Sequence, residues 1–155
     1  MKIKNYINII LIIIWMLAIF NFSNQKGTSS SGLSDKVIIK IAEIITKKEL
    51  TDQEKENITD KYGLIVRKTA HFIAYFILGF LTIFLTTDLY SYNKKTFLFT
   101  LLFNFLYAST DEIHQLFING RNGSFLDVLL DTTGALTAIS LVFLLNYINR
   151  RIKTK

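Results

Sequence analysis

Four long apolar runs organise this chain, each set off from the next by a polar stretch. The first covers about residues 6–22, through Ile9-Ile10-Leu11-Ile12-Ile13-Ile14-Trp15, and the others cover about 64–85, 97–117 and 125–147. A helix needs roughly 20 apolar residues to cross the hydrocarbon core, so the first run, at about 17, is marginal and the others suffice. Peptide groups in lipid must be satisfied within their own segment, which predicts helices for all four. The basic start and short core of the first run also suit a signal peptide. However, Asn21-Phe22-Ser23-Asn24-Gln25 offers no small-x-small cleavage site, and an uncleaved helix is expected.

Residues 23–63 carry a different pattern. Gly27-Thr28-Ser29-Ser30-Ser31-Gly32 is turn-prone, and Ser34-Asp35 reads as a helix N-cap. Val37, Ile38, Ile41, Ile44 and Ile45 then recur at helical spacing, opposite Lys36, Lys40, Glu43 and Lys47. This predicts an amphipathic helix that lies on the membrane or caps the bundle. Thr51-Asp52-Gln53-Glu54 has the form of a capping box and predicts a second, short polar helix.

Composition agrees with a membrane protein. Half of the 155 residues are hydrophobic and 14% are aromatic, too apolar for an ordinary soluble domain of this size. There is no cysteine, which excludes disulfides and thiolate metal sites. The net charge of +6 is placed at the flanks: Lys2 and Lys4, Lys94 and Lys95, then Arg150, Arg151, Lys153 and Lys155. Those are the positions that the positive-inside rule fills, and no basic and aromatic interleaving on a soluble face supports nucleic-acid binding. The expected architecture is therefore all-α and polytopic. It is a single domain over 1–155, with four transmembrane helices in the cell membrane and both termini cytoplasmic. Residues of about 23–63 and 118–124 would then lie outside.

Polar residues interrupt the apolar runs at that outer end. On the second run Arg67, His71 and Tyr75 follow at i, i+4, i+8 and share one face. Ala70, Ala74 and Gly79 are small enough for close helix contact there. On the third, Asp111 shares a face with His114 and Gln115, while Glu112 points about a quarter-turn away. On the fourth, Asp127 and Asp131 are again i, i+4, and Gly134 is a packing residue. The loop Asn119-Gly120-Arg121-Asn122-Gly123-Ser124 delivers Arg121 beside them, and Ser124 is placed to cap the last helix. A charge inside the bilayer costs roughly 2.5–3.5 kcal/mol even on insertion-based scales. Such residues mark a functional site or a tightly paired network.

Several chemistries fit this set. Arg67 and Arg121 can pair with aspartates and staple the helices. His71 or His114 can serve as general base, oriented by Asp111 or helped by Glu112, with Ser124 or Ser109 as a nucleophile or water as the attacking group. Imidazole and carboxylate are also suitable metal ligands, although Asp-x-x-His is not a specific metal signature. Four acids against two arginines leave the cluster about two charges negative when the histidines are neutral, and protons, a metal ion or a cationic partner would complete it. No cofactor is identified by the pattern.

At these residues the chain resembles the VanZ-like family of small integral membrane proteins. The resemblance rests on Arg67-Lys68-x-Ala70-His71-Phe72-x-x-Tyr75-x-x-Leu78-Gly79, on Asp111-Glu112-Ile113-His114-Gln115-x-Phe117, on Gly120-Arg121, and on Asp127-Val128-x-x-Asp131-x-x-Gly134. Phe22-Ser23-x-Gln25 and the Ser-rich stretch through Leu33-Ser34 also fit. Ala74 stands where many relatives carry an acid, and Asn119 where they often carry proline. The resemblance implies a cell-envelope role, particularly low-level protection against teicoplanin-type glycopeptides. It also implies Arg67, His71, Asp111, Glu112, His114, Gln115, Arg121, Asp127 and Asp131 as the functional set. Three functional classes follow. The chain binds or shields a cell-wall precursor, a lipid-linked glycan or the drug; it is an enzyme acting on such a lipid-linked or glycan substrate; or its polar network is structural and serves a protein partner.

Overall fold

The structure, a computed structural model, describes residues 2–25 and 27–153. Lys155 lies outside the described residues. The described chain is all-helical: α1 (Ile3–Ser23), α2 (Gly27–Thr46), α3 (Asp52–Tyr90), α4 (Lys94–Gln115) and α5 (Phe125–Lys153). Three of these, α1, α3 and α5, are long and apolar enough to cross a membrane. At 22 residues α4 has the length, but Thr96, Thr100, Asn104, Asp111, Glu112 and Gln115 are buried along it and lower its hydropathy.

Side-chain hydrogen bonds fix α1 antiparallel to α3. Lys4 at the start of α1 pairs with Asp88 near the end of α3 (2.5 Å). Asn8 Nδ2 then donates to the Leu81 carbonyl (3.2 Å), and Trp15 Nε1 to the Ala74 carbonyl (2.8 Å). On the other side, Tyr107 donates to the Met16 carbonyl (2.6 Å) and Ser23 to Asp111 (2.8 Å), so α1 and α4 end together. The four helices α1, α3, α4 and α5 thus alternate in direction. The basic ends gather opposite that junction, where Arg150 lies over the Tyr92 ring and Arg151 over Tyr147.

The tightest contact joins α3 to α5. A Cβ on Gly79 would meet Ala135 Cα at 2.7 Å, and one on Gly134 would run into the Phe72 carbonyl. Without a hydrophobic drive between helices in lipid, such close backbone approach supplies the packing energy. Ala74 joins the core as expected, whereas Ala70 is exposed. Tyr75, Leu78, Ala108 and Val128 fill the core near the junction; Ile83, Ile139 and Val142 fill it at the far end. Outside, Ile10, Ile13, Ile14, Leu17, Leu98, Phe99, Leu144 and Leu145 are exposed. An apolar surface this extensive suits lipid and not water.

Two local expectations change. Thr51 and Glu54 do form the capping box, with Glu54 N donating to Thr51 Oγ1 and Thr51 N donating to Glu54 Oε2. The helix that starts there does not stop, and runs 39 residues into the second apolar run. Neither proline nor a capping break intervenes, and Gly63 alone costs only about 1 kcal/mol. Likewise α2 begins at Gly27, about two turns before Ser34-Asp35, so the helix runs through the Gly/Ser stretch and not from the predicted cap. Of the predicted stripe, Ile38 is buried, while Val37, Ile41, Ile44 and Ile45 form an exposed row with Leu33.

Candidate functional site

The junction end of the bundle holds a cavity of about 150 Å³. Arg67, Lys68 and His71 enter it from α3, Glu112 and Gln115 from α4, Arg121 from the α4–α5 loop, and Asp127 and Asp131 from α5. One turn separates Arg67 from His71 and another separates His71 from Tyr75. The cavity is therefore layered, with cations at its rim and acids deeper.

Its rim is basic. Lys68 Nζ bonds Asp127 Oδ1 at 2.6 Å, which ties α3 to α5 in the first turn of the latter. Ser124 caps the same turn by accepting from Leu126 N (3.2 Å). Arg121 is held at three points: Nε donates to the Gln25 carbonyl (3.0 Å), Nη2 to the Phe22 carbonyl (2.9 Å) and Nη1 to Gln115 Oε1 (3.1 Å). The loop can present it because Gly120 takes φ 77°, a conformation open to glycine. Burial and then the charge of Arg67 push the Arg121 pKa below the usual arginine value, while Asp111 and Glu112 pull it back. It stays a cation, since a guanidinium does not deprotonate in proteins. Arg67 makes no hydrogen bond or ion pair among the described residues.

Beneath the rim lie buried acids, of which Glu112 and Asp131 line the cavity and Asp111 does not. Asp131 has no exposed surface, Asp111 is 3% exposed and Glu112 is 5% exposed. Gln115 Nε2 donates to Asp111 Oδ2 and to Glu112 Oε1, each at 3.2 Å. Ser23 Oγ also serves Asp111 Oδ2, and the Ser124 N–H serves Glu112 Oε2 at 3.0 Å. His71 Nδ1 stands 3.6 Å from Asp131 Oδ2. Donor atoms of His71, Asp111, Glu112 and Asp131 all lie within 4.8 Å of one another, which makes these four a candidate metal-ligand set among the described residues.

The matched stretch of a known family covers all of this geometry. The family model described as VanZ/LLP1 fits residues 8–146. The chain belongs to the VanZ/LLP1 family. Searches of curated proteins and of solved structures returned no match. In this VanZ/LLP1 member the three charged motifs do converge, and helices far apart in sequence contribute to one cavity.

Not every expected residue enters it. His114 stacks on Phe20 (centroids 4.7 Å apart) and approaches Asn24 Oδ1 at 3.4 Å, on the α1 side of the junction. Tyr75 is fully buried, yet its hydroxyl finds no hydrogen-bond partner among the described residues. Ser109 donates to the Phe105 carbonyl within its own helix. Two contributors escape a reading of the apolar runs: Ser23, which bonds Asp111, and the last carbonyls of α1, which hold Arg121. The Phe22-Ser23-x-Gln25 step was the signal for both.

Proposed function

We propose that this VanZ/LLP1 member crosses the cell membrane four times with both termini cytoplasmic. In this reading the pocket opens outward and takes the anionic headgroup of a lipid-linked envelope component. The observation that carries it is the pair of guanidiniums in one small cavity. Arg67 has no hydrogen-bond or ion-pair partner among the described residues, Arg121 is anchored in the same cavity, and like charges half out of water repel. An anion between them would satisfy both by charge-assisted hydrogen bonds. The clustering of basic side chains at the far end supports the orientation. Drug-sized pockets run to roughly 300–1,000 Å³, so a cavity of about 150 Å³ favours a headgroup over a whole glycopeptide. Protection against teicoplanin-type drugs, in this reading, follows from engaging the precursor and not the drug.

The test is native mass spectrometry of the protein purified in mild detergent. Wild type retains an anionic, lipid-linked species, and Arg67→Gln loses it at equal yield. Equal retention by the two proteins overturns the headgroup reading. Equal teicoplanin susceptibility with and without the protein overturns the resistance part.

A second reading, catalysis on that same lipid-linked substrate, is favoured by His71 beside the buried Asp131, a pairing suited to proton transfer. It expects His71→Gln to abolish function at normal membrane levels while His114→Gln keeps it. Full function in His71→Gln sinks it.

A further inference from the structure

The acids beneath the arginines make a demand that an anion cannot meet. Asp131 is completely buried and, among the described residues, neither of its carboxylate oxygens accepts a hydrogen bond, the nearest cationic group being His71 at 3.6 Å. Asp111 Oδ1 is likewise buried and without a hydrogen-bond partner among the described residues. Leaving such an oxygen without a donor costs the full desolvation of the group, and more when it is charged. Both carboxylates are aimed at the point where His71 and Glu112 also bring a donor atom.

We propose that His71, Asp111, Glu112 and Asp131 form a binding site for one divalent cation. This deepens the reading of the same pocket given above and rests on that pocket being the working site. Donors round an ion bound at about 2.1 Å stand roughly 3.4 Å apart in a tetrahedron and about 4.2 Å apart across an octahedron, so a set within 4.8 Å closes on an ion by side-chain shifts on the order of an ångström. The ligands come from α3, α4 and α5, so the ion ties together three helices that meet only through folding. Their surroundings suit the role. Gln115 and Ser23 hold Asp111 by Oδ2 and leave Oδ1 free. Gln115 and the Ser124 N–H orient Glu112, and Arg121 fixes the Gln115 amide so that its nitrogen faces the acids. Metal ligands are oriented by such outer hydrogen bonds, and here they are in place.

One imidazole and three carboxylates form a hard to borderline donor set, suited to Mn²⁺, Fe²⁺ or Zn²⁺ and not to a thiophilic metal. A charge of +2 among three carboxylates reduces the buried excess to −1, opposite the two guanidiniums at the rim. An anion held by Arg67 and Arg121 would then face a Lewis acid.

The experiment uses the full chain in detergent, stripped with chelator and delipidated. Mn²⁺ binding is read by loss of the free-ion electron paramagnetic resonance signal, with Zn²⁺ as competitor. The expected result is about one Mn²⁺ per chain, displaced by Zn²⁺, with affinity lowered at least about tenfold in Asp131→Asn and in His71→Gln. Stripped wild-type protein that keeps its helix content yet binds no Mn²⁺ overturns the proposal, as does unchanged affinity in both variants. Should Asp131→Asn fail to accumulate, Glu112→Gln takes its place and the wild-type stoichiometry still decides. Arg67→Gln separates the two readings, because it is expected to bind Mn²⁺ like wild type while losing the lipid. Mn²⁺ bound by a protein that never retains a lipid would sink the headgroup reading and leave the cation site standing.

Discussion

The same helices bury polar groups in two places, and the two places are built differently. Between α3 and α4, away from the pocket, Thr82, Thr86, Thr100 and Asn104 form a seam of neutral groups. Thr86 and Thr100 share a hydrogen bond of 2.7 Å, Asn104 donates to Thr82 at 2.9 Å, and the hydroxyls also reach carbonyls one turn back. Nearly every donor is spent locally, and only neutral acceptors such as Asn104 Oδ1 go without. At the junction end, ionisable groups are buried instead, with carboxylate oxygens and the Arg67 guanidinium lacking hydrogen-bond partners among the described residues. The seam is what helix adhesion in lipid requires. The pocket exceeds that requirement, at a cost that folding alone does not explain.

The largest test of this contrast is Asp131→Asn. Replacing a buried carboxylate that has no hydrogen-bond donor among the described residues should leave thermal stability unchanged or raised, while function per molecule falls by about 100-fold, in the range of lost acid–base or ligand chemistry. Melting temperature and function at matched membrane levels, measured together, decide it. Lower abundance with unchanged function per molecule would instead make the pocket a structural network like the seam.

Gly134→Leu is the packing control. Its side chain would collide with the Phe72 backbone, so a loss of about 3 kcal/mol, seen as loss of protein from the membrane, is expected. A normal level would mean that α3 and α5 do not meet so closely. Asn104→Leu probes the seam, where hydrogen bonds between helices in membranes average about 0.6 kcal/mol. A small drop in melting temperature with intact function is expected, and lost function would erase the distinction between the two regions.

The smallest effect lies outside the bundle. Lys48, and then the Thr51 backbone, hold the Glu54 carboxyl down at about 2 from an ordinary 4.5. A depressed carboxyl contributes its stabilisation above the unfolded pKa and loses it as pH falls through the folded one. The start of α3 should therefore hold above about pH 4.5 and fray as pH approaches 2. The amide chemical shifts of Thr51 and Glu54 would follow it, and Glu54→Gln should remove the pH dependence.

Much of this was legible along the chain. Apolar length located α1, α4, α5 and the apolar part of α3, helical spacing located α2, and the capping box at Thr51 located the start of α3. Spacing placed Arg67, His71 and Tyr75 on one face, and the three charged motifs do share one end of the bundle. His114 shows where spacing stops being informative. It sits three residues after Asp111 on the same helix, yet ring stacking with Phe20 draws it towards α1 while Gln115 turns inward. Helical period fixes an angle about one axis and says nothing of which neighbour stands there.

By itself, then, the sequence determined which segments become helices, because backbone satisfaction in lipid leaves no other choice for long apolar runs. It also determined that the ionisable groups cluster at one end, since the direction of each run and the placing of the lysines follow from order alone. Only the tertiary structure decided which of those groups meet. The pairing of Lys68 with Asp127, the anchoring of Arg121 by the end of α1 and the placing of Asp131 beside His71 all depend on the rotation of packed helices. That rotation is set by close contacts such as Gly79 on Ala135 and Gly134 on Phe72, which join residues more than fifty positions apart.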